Sequence, residues 1–146
     1  MAQTYATVTW DQLHRDARAL AAALMPLGPF RGIVARELDC RLVESVAVLS
    51  YDDETLKTPT LLKPPSAAGT GEGFLIIDDL VDTGSTARLV RELLPHAHFA
   101  CLYAKPAGQS LADTWVADVP QDTWILFPWD TEAQFVAPLA KRETLK

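Results

Sequence analysis

A chain of 146 residues with 49% apolar and 22% charged residues has the make-up of one globular domain with a core of its own. A formal net charge of −6 excludes a broad nucleic-acid-binding surface, which needs a basic face, but not a phosphorylated ligand held by local amides and a cation. The longest apolar run, Ala19 to Met25, is too short to cross a bilayer, and Met1-Ala2-Gln3-Thr4-Tyr5 lacks a basic stretch ahead of an apolar one, so neither a membrane span nor a secretory leader is expected.

Along the chain, Thr9-Trp10-Asp11-Gln12 predicts a helix start as a capping box, Thr9 at the cap and Gln12 at the third position. Leu13, Ala17, Leu20, Ala21 and Leu24 then form one apolar face, and Pro26 and Gly28 stop the helix. Gly32-Ile33-Val34 reads as a short strand, Glu37 to Glu44 as a brief helical or irregular piece, and Ser45 to Ser50 as a second strand. The stretch from Asp52 to Gly71 is polar and rich in Pro, Thr and Gly, which predicts a mobile functional flap. A buried strand at Phe74 to Ile77 and a helix from Ala87 to Leu94 follow, then strands at His98 to Tyr103, Trp115 to Val119 and Trp124 to Phe127. The tail from Thr131 is weakly patterned and is expected to fray. Cys40 and Cys101 have no metal-type spacing and read as reduced thiols. Strands alternating with helices imply an α/β fold with a mainly parallel sheet.

The densest chemistry lies in Phe74-Leu75-Ile76-Ile77-Asp78-Asp79-Leu80-Val81-Asp82-Thr83-Gly84-Ser85-Thr86. An apolar strand delivers three acids and then a short hydroxylated turn that opens a helix. Ligands of open α/β sheets bind beyond the carboxyl ends of strands, and a helix start favours an anion. A helix cap accounts for one acid here. It does not account for three in five positions, because clustered carboxylates repel unless a cation or a hydroxylated ligand uses them. No Lys follows Gly84, which excludes a Walker loop.

This stretch resembles the signature loop of the type I phosphoribosyltransferases. The resemblance implies that family's fold, a mainly parallel sheet flanked by helices with a flexible flap and a small hood, as a single domain over 1–146. Ala104-Lys105-Pro106-Ala107-Gly108, Pro120-Gln121-Asp122-Thr123-Trp124-Ile125 and Pro128-Trp129-Asp130 are similar to the branch that salvages oxopurines. The implied reaction moves 5-phosphoribose from phosphoribosyl diphosphate to guanine, xanthine or hypoxanthine and releases diphosphate, with Mg²⁺ required. The resemblance implies that Asp82 handles the purine N7 proton as the catalytic group, and that Asp78 and Asp79 meet the ribose hydroxyls, Asp79 also holding Mg²⁺. It implies that Thr83, Gly84, Ser85 and Thr86 cradle the 5′-phosphate, Lys105 donates to the 6-oxo group, Trp124 stacks on the base, and main-chain groups of Trp124 and Ile125 read the 2-position. Lys63 would serve from the flap. A cytoplasmic homotetramer is implied, with at most peripheral contact with the inner face of the membrane.

Two departures stand out. The family's Ser-Arg-Gly-Gly loop, which grips diphosphate, should follow Val34, yet Val34-Ala35 runs straight into Arg36-Glu37-Leu38. A parallel crossover needs about a dozen residues, and few remain between Val34 and Ser45. Residues are therefore expected to be missing near 34–36; a real deletion would favour a non-catalytic sensor of phosphoribosyl or nucleotide ligands. In the flap, Pro64 stands where an Arg is expected. Salvage of adenine is a third reading, which Lys105 opposes because adenine carries an amino group at the 6-position.

Overall fold

The computed structural model describes residues 4–30, 42–49 and 59–130. The chain divides into two compact units, Met1–Arg15 with Asp122–Lys146, and Asp16–Gln121. The expectations for Gly32 to Val34, the break near 34–36, most of Glu37 to Glu44, Cys40, the first part of the flap up to residue 58 and the tail from Thr131 fall outside the described residues.

The first unit is built on two parallel strands, β1 (Thr4–Thr7) and β7 (Thr123–Leu126), with Tyr5 opposite Trp124 and Ala6 opposite Ile125. Helix α1 (Trp10–Leu24) starts here. Thr9 Oγ1 accepts the Gln12 N–H at 3.2 Å, which satisfies one of the donors a helix start leaves open. Phe127 stacks on Trp129 at 4.8 Å between centroids, and Trp10 meets Trp129 edge-on at 6.2 Å.

In the second unit, β4 (Leu75–Val81), β5 (His98–Ala104) and β6 (Thr114–Asp118) form a parallel sheet in the order β4-β5-β6. The central β5 is the most buried, Phe99 through Ala104 all lying inside. Helix α2 (Ser85–Leu93) makes the crossover from β4 to β5. Its spacing puts Ala87 and Val90 on one face, where they join Leu94, Ile76, Val81, Phe99 and Cys101 in the core. Arg91 leaves that face and donates to Leu111 O at 3.0 Å, to Ala97 O at 2.9 Å and to the Asp113 carboxylate, while its guanidinium lies over the Phe99 ring at 5.5 Å from the centroid. Asp113 also accepts the Phe99 N–H at 2.7 Å, so one ion pair ties α2 to the start of β5 and the approach to β6.

Several elements differ in detail from the expectations. On α1 the buried positions are Asp16, Leu20, Ala21 and Leu24, and Ala17 is exposed. The face turns because Asp16 accepts a hydrogen bond from the buried Tyr103 hydroxyl, which satisfies two polar groups that periodicity alone cannot pair. β4 runs on through Asp78 and Asp79 to Val81, so these acids belong to the strand. Among the described residues it stands first in the order of its sheet, with Ile77 40% exposed. The strand after Ser45 shortens to β2 (Ala47–Leu49) and pairs antiparallel with β3 (Thr60–Lys63). That makes the latter part of the expected flap a hairpin arm, and it is anchored: Pro65 and Ala68 are buried, and Gly71 sits at φ 89° where a Cβ would fall 2.8 Å from Ala97.

Replacing Arg91 with Met keeps an unbranched apolar side chain but removes the guanidinium over Phe99 and leaves Leu111 O and Ala97 O without this donor. We expect a loss of about 1–3 kcal/mol in urea unfolding, with the slope unchanged.

Candidate active site

β4 and β5 are parallel neighbours, so their carboxyl ends open side by side. Val81 lies opposite Ala104 at the last rung of the ladder, and the Lys105 N–H still donates to Val81 O at 2.9 Å. One residue further, the strands emit Asp82 and Lys105. Lys105 Nζ donates to Asp82 Oδ2 at 2.7 Å. The lysine side chain is 4% exposed and the aspartate side chain 41%. An ammonium so far from water requires a partner, and Asp82 supplies it while still facing outward.

Two glycines bring the loops this close. Gly84 has φ 83°, a left-handed conformation at the cap of α2, and a Cβ there would fall 2.6 Å from a Leu111 methyl. At Gly108 a Cβ would fall 2.7 Å from Asp82 O and 2.8 Å from Gly84 N, both backbone atoms that cannot swing aside. The turn after β5 is therefore seated directly on the turn after β4.

Thr83 to Thr86 fill the latter turn and the start of α2. Thr83 Oγ1 and Ser85 Oγ lie 3.0 Å apart, no side chain caps the helix, and no acid occupies its first turn. Hydroxyls and first-turn amides at an uncapped helix start suit a phosphate.

Asp78 and Asp79 lie upstream on β4. Asp78 Oδ1 accepts the Asp79 N–H at 3.0 Å. Burial, and then the Asp79 charge beside it, push the Asp78 carboxyl up to about 6. The same burial and the Asp78 charge push the thiol of Cys101, opposite Asp78 in the ladder, up to about 12. This end of the sheet carries a negative field that a cation would relieve. The hard oxygen donors fit Mg²⁺, which takes one or two carboxylates and completes its shell with water and substrate oxygens. Among the described residues no group of three or more His, Cys, Asp or Glu forms a closed cage.

Lys63 lies elsewhere in its unit's hydrogen bonding. Its Nζ donates to Glu44 Oε1 at 2.7 Å and to Ser45 O and Oγ at 2.9 Å. These bonds, with the Ala67 and Ser45 N–H groups, pull the Glu44 carboxyl down to about 2. Trp124 and Ile125 belong to β7 in the first unit, Trp124 39% exposed and Ile125 buried. Sequence reasoning gave Gln121 no role. Its Nε2 donates to Asp82 Oδ1 at 2.7 Å, and its Oε1 accepts the Ala107 N–H at 2.9 Å.

The Asp78 shift has a sign for stability. A raised folded-state value means the native state holds a proton that the unfolded chain gives up from about 4 upward, so this carboxyl costs stability as pH rises from there to about 6, and fully above it. In metal-free buffer Asp78→Asn is expected to be more stable than the parent at pH 7. The difference should vanish below about pH 4 in denaturant titrations, and a constant difference would show that the charge is not its source.

A family model described as a phosphoribosyl transferase domain matches residues 28–135. Xanthine-guanine phosphoribosyltransferase of Gluconobacter oxydans is 62% identical, the match covering 95% of this chain and 92% of the relative. The protein of that name from Nitratidesulfovibrio vulgaris strain DP4 is 54% identical, over 92% and 90%. Among solved structures, a purine phosphoribosyltransferase from Pyrococcus horikoshii superposes with a TM-score of 0.73 at 24% identity, over 92% of this chain and 99% of that one. That likeness bears on the fold. With the signature stretch at the ends of parallel strands and most of the chain matched, this protein belongs to the phosphoribosyltransferase family, among the xanthine-guanine phosphoribosyltransferases.

Proposed function

We propose that this chain is a purine salvage transferase that moves 5-phosphoribose from phosphoribosyl diphosphate to guanine, xanthine or hypoxanthine. The observation that carries this reading is the Asp82–Lys105 pair at the ends of β4 and β5. Side by side, an acceptor and a cationic donor match the N7–H and 6-oxo edge of an oxopurine. Adenine offers an amino group where Lys105 needs an acceptor. Identity with the curated relatives supports the same choice.

In the proposed reaction the purine N9 lone pair forms the bond to the anomeric carbon as the bond to diphosphate breaks, and Asp82 takes the N7 proton. Lys105 steadies the 6-oxo group. Asp78 and Asp79 face the ribose hydroxyls and the positive charge that develops on the sugar. Thr83, Gly84, Ser85 and Thr86 hold the 5′-phosphate, Trp124 stacks on the base, and the main chain of Trp124 and Ile125 meets the 2-position. Lys63 reaches the diphosphate only by releasing Glu44. Mg²⁺, held by Asp79, would neutralise the departing diphosphate. A cytoplasmic homotetramer with at most peripheral membrane contact belongs to the same reading. Among the described residues no helix is long and apolar enough to cross a membrane.

A second reading, a ligand sensor of the same fold, has one observation in its favour. The alignment with the Gluconobacter oxydans relative runs over 155 residues although this chain has 146, so the relative carries residues with no counterpart here. The family pattern breaks between Val34 and Arg36, where the diphosphate loop is expected.

Nucleotide formation from guanine, phosphoribosyl diphosphate and Mg²⁺ separates the two readings, since a sensor binds without turnover. Asp82→Asn is expected to lower kcat at least 100-fold with folding intact. Lys105→Ala should weaken oxopurine binding while phosphoribosyl diphosphate binding holds; equal losses for both would assign Lys105 a general structural role. Chelation should abolish turnover, and Mg²⁺ should restore it.

A further inference from the structure

We infer that Gln121 is a positioning residue for this site, holding the Asp82 carboxylate in place when Lys105 turns to its substrate. The inference rests on the reading in which Asp82 and Lys105 meet an oxopurine.

Asp82 is at risk of swinging. Its side chain is 41% exposed and stands just past the last rung of β4. Two donors hold it from its two oxygens, Lys105 Nζ on Oδ2 and Gln121 Nε2 on Oδ1, each at 2.7 Å. They differ in what else they must do. The ammonium of Lys105 is shared, because the same donor that holds Asp82 is the one a 6-oxo group would recruit. Gln121 has no such second duty. When Lys105 shifts toward an incoming carbonyl, the bond from Gln121 is the one that keeps Asp82 aimed.

The Gln121 amide is itself fixed in direction. Its Oε1 accepts the Ala107 N–H at 2.9 Å, and a backbone N–H cannot become an acceptor. A flipped amide would face an NH₂ to an N–H and an oxygen to a carboxylate oxygen, repelling at both ends. Ala107 lies in the turn that Gly108 N and Gln109 N close on Lys105 O, at 3.1 and 2.9 Å. Both groups that hold Asp82 are thus anchored to one turn, the turn that Gly108 seats against Asp82 O and Gly84 N. The geometry calls for an amide at 121: a carboxylate there could keep the Ala107 bond but would present an acceptor to Asp82.

That difference makes the test. Gln121→Glu retains the tie to Ala107 and exchanges the donation to Asp82 for a facing acceptor, whereas Gln121→Ala removes both contacts. We expect Gln121→Glu to keep the parent Tm and the parent KM for phosphoribosyl diphosphate, and to lose about 10- to 100-fold in kcat/KM for guanine, the range for one hydrogen bond to a charged group. A positioning role predicts a loss on the base side alone. Parent kcat/KM for guanine in Gln121→Glu would overturn the inference. So would equal losses for both substrates accompanied by a fall in Tm, which would mark a structural role for the loop. A crystal structure of Gln121→Glu supplies a readout that does not need turnover: the Ala107 contact should persist and the Asp82 carboxylate should turn away from position 121. An unmoved Asp82 would overturn the inference whatever the activity, while absence of transfer in the parent chain would count against the transferase reading and leave this structural readout standing.

Discussion

A lysine ammonium driven almost wholly out of water at the end of β5 is the constraint around which this site is arranged. Removing such a charge from water is costly unless a counter-charge and further hydrogen bonds await it. Here the counter-charge comes from the neighbouring strand, one residue beyond the last ladder rung, so parallel register and charge pairing require each other. A slip of the register would separate Asp82 from Lys105 and leave the ammonium buried alone. The close approach of the two turns follows from the same demand. Gly84 and Gly108 are glycines because a Cβ at either would meet atoms at 2.6 to 2.7 Å, and at Gly108 some of those atoms are backbone.

The upper end of β4 adds a second tension. Asp78 and Asp79 are consecutive acids in a strand, and Asp78 is held where its charged form is disfavoured. The fold tolerates this cost at one place in the sheet and compensates for it at another. There Arg91 and Asp113 join α2, β5 and the approach to β6 through directed hydrogen bonds over a buried Phe99. The directed bonds of Arg91 and Asp113 thus lie at the amino end of β5, and the disfavoured carboxylate of Asp78 lies midway along β4.

Much of this was legible in the residues, for physical reasons. The strand-acid-hydroxyl-helix run located β4, the hydroxylated turn after it and α2 because each step has its own local signature. The Thr9 cap and the stop at Pro26 and Gly28 were readable for the same reason. Non-local partners were not readable. Nothing in the period of α1 says that Asp16 rather than Ala17 is buried, since the reason, the Tyr103 hydroxyl, lies 87 positions away. Gln121 sits in a Pro-Gln-Asp run that looks like an ordinary turn, and its value comes only from Ala107 and Asp82. Composition marked the flap but not its inward positions, since Pro65 and Ala68 are buried and Gly71 packs against Ala97.

Lys63 joins the two arms of the hairpin in this structure and is also the cation of the proposed diphosphate contact. In this structure its ammonium is held by Glu44 and Ser45, and Glu44 in turn accepts the Ala67 N–H at 3.0 Å, which closes β3 and the following turn onto the segment before β2. A diphosphate offers more charge than one carboxylate. The exchange of Glu44 for that ligand would therefore be electrostatically favourable, even though the Glu44 bond is short. In the proposed reaction these are the contacts that diphosphate would have to replace. Pro64, beside Lys63, adds no charge, so any diphosphate contact made from this arm falls to Lys63 itself.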